Sequence, residues 1–183
     1  MNDFKAFADS KDFEKITAFL QNGLYISNTM LVMEHDLIRL CEVEDEDKVS
    51  LYDTWDLTEY LTANGLGFGT PDPEEKVLEQ LSNPNSNIYV LRVNRQVASS
   101  VTVWDYDEDT VATENIFTVP LFRENHYAWN LLNKVLWDIK ARKKKKARLT
   151  VYGDDTVAIA MYLKMGYRLT GVLQEFMYDD SEE

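Results

Sequence analysis

Thr110-Val-Ala-Thr-Glu-Asn-Ile-Phe-Thr-Val119, followed by Arg123-Glu-Asn-His-Tyr-Ala128, is the stretch whose reading decides the fold. The first run is rich in β-branched residues and reads as a strand. Alternation in an unbroken strand puts Thr110, Ala112, Glu114, Ile116 and Thr118 on one face. The second run opens a helix, because Trp129, Leu132, Val135, Leu136 and Ile139 recur at helical spacing between about 125 and 141. A helix start leaves unpaired amides and a partial positive charge, which suit a phosphate group. A second informative stretch is Ala158-Ile-Ala-Met-Tyr-Leu-Lys-Met-Gly-Tyr167. There Asp154 or Asp155 can cap a helix over 156–165, and Gly166 ends it.

Upstream of this centre, strands are expected over 87–93 and 97–106, with turns at Asn94-Arg95-Gln96 and Asp107-Glu108-Asp109. Pro71 and Pro73 precede the helix EEKVLEQL, and Asn83-Pro-Asn-Ser-Asn87 is turn chemistry. A helix is expected over 47–63, ending at Asn64-Gly65. Gly65-Leu-Gly-Phe-Gly69 lacks the preceding strand of a dinucleotide fingerprint and reads as a flexible connection. Residues 3 to about 22 read as a helix ended by Asn22-Gly23. Strand-like runs over 24–33 and 37–43 flank a turn at His35-Asp36, where His35 is expected in solvent. Downstream come a strand over 148–153, the capped helix, and a last hairpin, YRLTG with VLQEFMY.

The two informative stretches together resemble the Gcn5-related N-acetyltransferase (GNAT) family. That family's pattern is an Arg/Gln-x-x-Gly-x-Gly/Ala loop followed by A-x-x-x-Y-x-K-x-G-F/Y. Arg123 and Ala128 match the loop, while Glu124 and His126 stand where glycine is common. Ala158, Tyr162, Lys164, Gly166 and Tyr167 match the second motif. The resemblance covers the C-terminal two-thirds of the chain. It implies an α/β (α+β) fold, with a mixed, mainly antiparallel central sheet and helices on both faces. The expected organisation is one GNAT-like domain over 36–178, an N-terminal extension over 1–35 packed on it, and an acidic tail over 179–183.

The resemblance further implies that acetyl-CoA is the cosubstrate. Its pyrophosphate would sit on the loop Arg123, Glu124, Asn125, His126, Tyr127 and Ala128. Its pantetheine would pair with the backbone of Phe117, Thr118 and Val119. A primary amine would attack directly, with Glu114 as general base and Tyr162 protonating the departing thiolate. A rival reading is a degenerate GNAT-like module that binds an acyl-CoA or a protein partner without catalysis, and the missing loop glycines are its support.

Composition narrows the alternatives. A chain of 183 residues with 45% apolar content can bury a core, which excludes disorder. The opening residues MNDFKAFADS carry two acids and no apolar run, so no signal peptide is read there. No stretch is apolar for long enough to span a bilayer, and the cytoplasm is the expected compartment. Cys41 is the single cysteine, which excludes an intrachain disulfide, and it reads as a small buried apolar residue. No His, Glu or Asp grouping has metal-ligand spacing, so no metal is expected. A net charge of −13 opposes nucleic acid and anionic membrane, and favours a small-molecule or peptide amine, cationic if the acids near 42–47, 53–59 and 72–75 line its cleft. The run Arg142-Lys-Lys-Lys-Lys146 ends a helix, where cations offset the dipole. The N-terminal extension can pack on its own domain or on a second subunit of a homodimer.

Overall fold

The computed structural model describes residues 5–44, 48–52 and 57–178. Its first elements are β1 (Ala6–Asp9), α1 (Phe13–Gln21), β2 (Leu24–His35), β3 (Val49–Leu51) and α2 (Leu57–Phe68). Then come α3 (Glu74–Ser82), β4 (Ser86–Val93), β5 (Gln96–Asp105) and β6 (Thr110–Thr118). A 3-10 turn (Pro120–Phe122) leads into α4 (Tyr127–Ala141), β7 (Lys146–Tyr152), α5 (Thr156–Met165) and β8 (Arg168–Tyr178). The strands pair in a mixed, mainly antiparallel pattern. By packing, the chain forms a central unit, Asp36–Arg148, and a terminal unit that joins Met1–His35 to Leu149–Glu183.

In the central unit the strands run in the order β3, β4, β5, β6, each antiparallel to the next. The hairpin between β4 and β5 turns at Asn94 and Arg95, whose φ values of 50° and 69° give the left-handed turn that matches strand twist. Helices cover both faces. Tyr60 and Ala63 of α2 pack with Ile88, Val90, Val97 and Phe117 on one face. On the other face α4 packs against β4, β5 and β6, and the charges of Lys134, Asp138 and Arg142 act on the Tyr89 hydroxyl. Leu131, Leu132, Val135, Leu136 and Ile139 of α4 are fully buried. Each such side chain is worth roughly 1.5–3 kcal/mol, so α4 is firmly held.

In the terminal unit β8 is sandwiched between β1 and β2, antiparallel to both. Ala8, Leu24 and Phe176 form its buried centre, with Phe19 meeting Phe176 edge-on at 5.1 Å. Buried Glu175 is held by Lys5 at 2.6 Å and by the Asn28 amide at 2.8 Å.

Four expectations fail for physical reasons. The helix over 3–22 is divided: Ala6–Asp9 pairs with β8, and only 13–21 is helical. Asp9 accepts from the Lys11 amide and Asp12 caps α1 through the Lys15 amide, so a turn separates the two. Residues 37–43 are not a strand. Leu37 has a φ of 58°, and the carbonyls of Ile38 and Cys41 accept from Lys140 and Trp137 of α4 rather than from a neighbouring strand. The helix expected over 47–63 starts only at Leu57 among the described residues, and Val49–Leu51 is a strand; residues 45–47 and 53–56 lie outside the description. That helix runs on through the glycine segment to Phe68, and Gly69, with a φ of 87°, ends it. The last hairpin is one strand, in which Gly171 pairs with Val32.

Candidate active site

The end of β6 is where the site takes shape. Thr102 of β5 pairs with Glu114 and Ser100 pairs with Phe117, so one residue on β5 faces two, Asn115 and Ile116, on β6. This is a bulge, and Asn115 has a φ of 48°. Directly paired residues share a face, so Glu114 lies on the Phe117 side, with Ser100 and Thr102, and Thr118 lies on the other with Ser99. The alternation expected without a bulge, Glu114 with Ile116 and Thr118, is therefore corrected. Glu114 is exposed and points its strand position toward the face that α2 covers.

Among the described residues, β7 pairs with β6 only at Thr110, Val111 and Ala112, and no strand pairs with the outer edge of β6 beyond Ala112. The backbone direction at its end can be read from hydrogen bonds. Val119 donates to Ala98 on β5 at 2.9 Å, and the Phe117 carbonyl accepts from Ser99 Oγ at 2.7 Å. Phe117 and Val119 thus direct these groups toward β5, and alternation turns the N–H and C=O of Thr118 to the open edge.

The loop after β6 reproduces glycine-like geometry without glycine. Glu124 and His126 have φ values of 64° and 59°. These are the two positions where glycine is common in the family that the sequence resembles, and both adopt the left-handed region that glycine favours. Histidine visits this region more readily than β-branched residues do. His126 is the N-cap of α4 and makes no side-chain cap bond. Among the described residues, no acceptor is found for the first-turn amides of Tyr127, Ala128 and Trp129, and Asn130 is the first to bond back, to His126. Asn125, itself exposed, donates to the Phe122 and Arg123 carbonyls. Arg123 donates from Nε to Thr118 O at 3.2 Å and from Nη2 to Gly67 O at 3.3 Å.

Tyr162 belongs to the terminal unit. Asp155 caps α5 through the Ala158 amide, and Gly166, with a φ of 102°, ends it, as the spacing predicted. Tyr162 is 5% exposed and packs against the Tyr167 ring at 5.7 Å. Its hydroxyl has no hydrogen-bond partner among the described residues. Burial, and secondarily the Asp155 carboxylate, push its pKa above the ordinary tyrosine value, so it holds its proton. His35, expected in solvent, is buried instead. Its Nε2 lies 3.0 Å from Met165 O, its ring meets Tyr167 edge-on, and a Cβ at Gly166 would come within 3.0 Å of it.

Other candidates are accounted for by local chemistry. In the basic run, Arg142 and Lys144 pair with Asp105, and Lys145 pairs with Asp109. Among the acids considered for an acceptor, Glu59 holds Arg92 and the Val97 amide, and Asp72 holds Lys76 and Asn64. Ser99 and Gly67 went unrecognised in the sequence. Two adjacent serines inside the apolar run VASSVTV were the available signal, since buried hydroxyls need partners. Gly67 carried none, because its role is set by Phe117, distant in sequence.

Comparison with known proteins gives the family and the fold. The sequence matches the Acetyltransferase (GNAT) family over residues 49–167, and the chain belongs to that family. Among solved structures, a GCN5-related N-acetyltransferase from Sphaerobacter thermophilus superposes with a TM-score of 0.74 at 15% identity, covering 94% of this chain and 58% of that one. One from Kribbella flavida gives 0.71 at 11% identity, covering 98% and 69%. A GNAT family acetyltransferase from Elizabethkingia anophelis, with acetyl-CoA bound, gives 0.57 at 15% identity, covering 72% and 96%. This chain thus spans little more than half the length of the Sphaerobacter protein. Among the described residues no helix is long and apolar enough to cross a membrane.

Proposed function

We propose that this chain transfers an acetyl group from acetyl-CoA to a primary amine by direct attack. The observation that carries the reading is the open edge of β6, which leads into the unpaired amides at the start of α4. A free strand edge accepts an extended, amide-bearing chain as an added strand, and an uncapped helix start accepts phosphate. Thr118 would supply its backbone N–H to the first, and the turn from Glu124 to Ala128 would supply amides to the second. When bound, acetyl-CoA supplies an activated acetyl thioester.

The remaining steps fall to this chain's side chains. Glu114 accepts a proton from the incoming ammonium, directly or through water, so that the amine can attack. Tyr162 donates its phenolic proton to the departing thiolate, a role favoured by the burial that keeps it protonated. The rival, a non-catalytic binding module, drew on the missing glycines. That support weakens because Glu124 and His126 already hold the left-handed conformation.

Acetyl-CoA at a hundredfold above its Kd should add about 2.7 kcal/mol of stability, a rise in Tm of roughly 5–11 °C at this size. Glu114→Gln should keep that shift and lower turnover about 100-fold against an accepted amine. No shift at millimolar acetyl-CoA removes the reading. A shift without transfer to any of a broad amine panel favours the binding module.

A further inference from the structure

Arg123 sits at the meeting point of two elements that the proposed function uses. The Thr118 carbonyl, turned to the open side of β6, is taken by Arg123 Nε at 3.2 Å. The second contact of the guanidinium, to Gly67 O at 3.3 Å, falls on the last turn of α2. That turn leaves carbonyls without helical partners, and a cation there also offsets the negative helix end. The same corner is closed by packing. A Cβ at Gly67 would lie 2.6 Å from the Phe117 ring, so only glycine lets α2 come this close.

We propose that Arg123 is a positioning residue for the open edge, and not a ligand for phosphate. By taking the Thr118 carbonyl it removes the last acceptor of the edge and leaves the Thr118 N–H as the final donor. This fixes where an extended, amide-bearing ligand arm can start to pair. By holding Gly67 it keeps the end of α2 against the strand that carries Phe117. A lysine cannot do both, because a single ammonium lacks the planar fork that reaches two carbonyls in fixed directions. The proposal rests on the acyl-CoA reading of the edge.

Two probes separate positioning from phosphate binding. Coenzyme A carries the pantetheine arm and the phosphates, whereas S-acetyl-pantetheine carries the arm alone. Their affinities are measured at low and high salt for wild type, Arg123→Gln and Arg123→Lys, with a melting temperature for each protein. If Arg123 positions the edge, both variants weaken both probes by the same factor, roughly five- to tenfold, with little dependence on salt. If Arg123→Gln weakens coenzyme A alone, most strongly at low salt, and Arg123→Lys restores it, Arg123 is a phosphate ligand and the proposal fails. Unchanged affinities in both variants overturn it as well. A folded wild type that binds neither probe refutes the acyl-CoA reading itself, before any variant is compared.

Discussion

Replacing Gly67 by alanine should show how tightly the end of α2 is bound to the site strand. The new Cβ would lie 2.6 Å from Phe117 Cδ2 and 2.8 Å from its Cβ and Cγ. Carbon atoms rest at about 3.5–4.0 Å, so something must move by roughly 1 Å. Turning the ring does not clear the clash, because the Phe117 Cβ is fixed by the strand. The ring is also boxed in by Tyr60 at 6.1 Å and Phe68 at 5.4 Å. Overpacking of this kind costs about 1–3 kcal/mol, and alanine returns up to about 1 kcal/mol in helix propensity. The net loss of about 1 kcal/mol should lower Tm by roughly 2–4 °C. Gly65→Ala is the control: its Cβ would meet Pro71 side-chain atoms at 3.2 Å, so the same propensity gain meets much less resistance. Thermal or urea unfolding of both variants gives the comparison. A Gly67→Ala protein as stable as Gly65→Ala would refute the close packing of α2 on Phe117.

At the turn entering α4, His126→Gly should leave Tm unchanged or slightly raised. Relief of about 1–2 kcal/mol of left-handed strain offsets glycine's entropy of about 0.5–1 kcal/mol. Coenzyme A affinity should hold or improve, and a clear fall in Tm would contradict the strain argument. Glu124→Gln should tighten coenzyme A, more so at low salt; equal affinities at both salts would put the phosphates elsewhere. Tyr162→Phe should lower turnover about 100-fold with acetyl-CoA affinity intact. It should also flatten the alkaline arm of stability. Burial raises the pKa of Tyr162, so its contribution is whole below the ordinary tyrosine value of about 10 and is lost as pH rises from there through the folded value. Identical alkaline losses in wild type and variant would sink that account.

Much of the fold could be read where local signals and tertiary packing agree. The strands over 86–93, 96–105 and 110–118 carry turn residues at both ends, and α5 has an aspartate cap and a terminal glycine. Where the two disagree, packing prevails. Gly65 and Gly67 argue against a helix locally, yet contact with Phe117 rewards the missing side chain. Leu37 and Leu40 suggest a strand, yet Trp137 and Lys140 supply the partners for this segment's carbonyls. Gly171 looks like a turn, but it lies in mid-strand opposite a register shift at Val32. In the candidate site, the turn entering α4 was legible as a position and not as a conformation. The bulge was not legible, because the pairing of Thr102 and Ser100 creates it from a distance.

The bulge also determines which kinds of genetic change this strand can absorb. Glu114 and Phe117 share a face at a spacing of three, which no regular strand allows. Exchanging one amino acid for another in this stretch alters what is displayed and keeps every later residue in phase. Loss of a single codon, at Asn115 or Ile116, would restore strict alternation between Glu114 and the residues after it. Phe117 would then follow Glu114 by two residues and stay on the face of Tyr60 and Phe68. Thr118 would keep its outward backbone groups, and the turn leading to α4 would keep its phase. What would go is the local kink and extra twist that the bulge gives the end of the strand. The strand should therefore absorb a one-residue shortening at the bulge far better than one elsewhere along its length, which would turn the residues on one side of the gap to the opposite face.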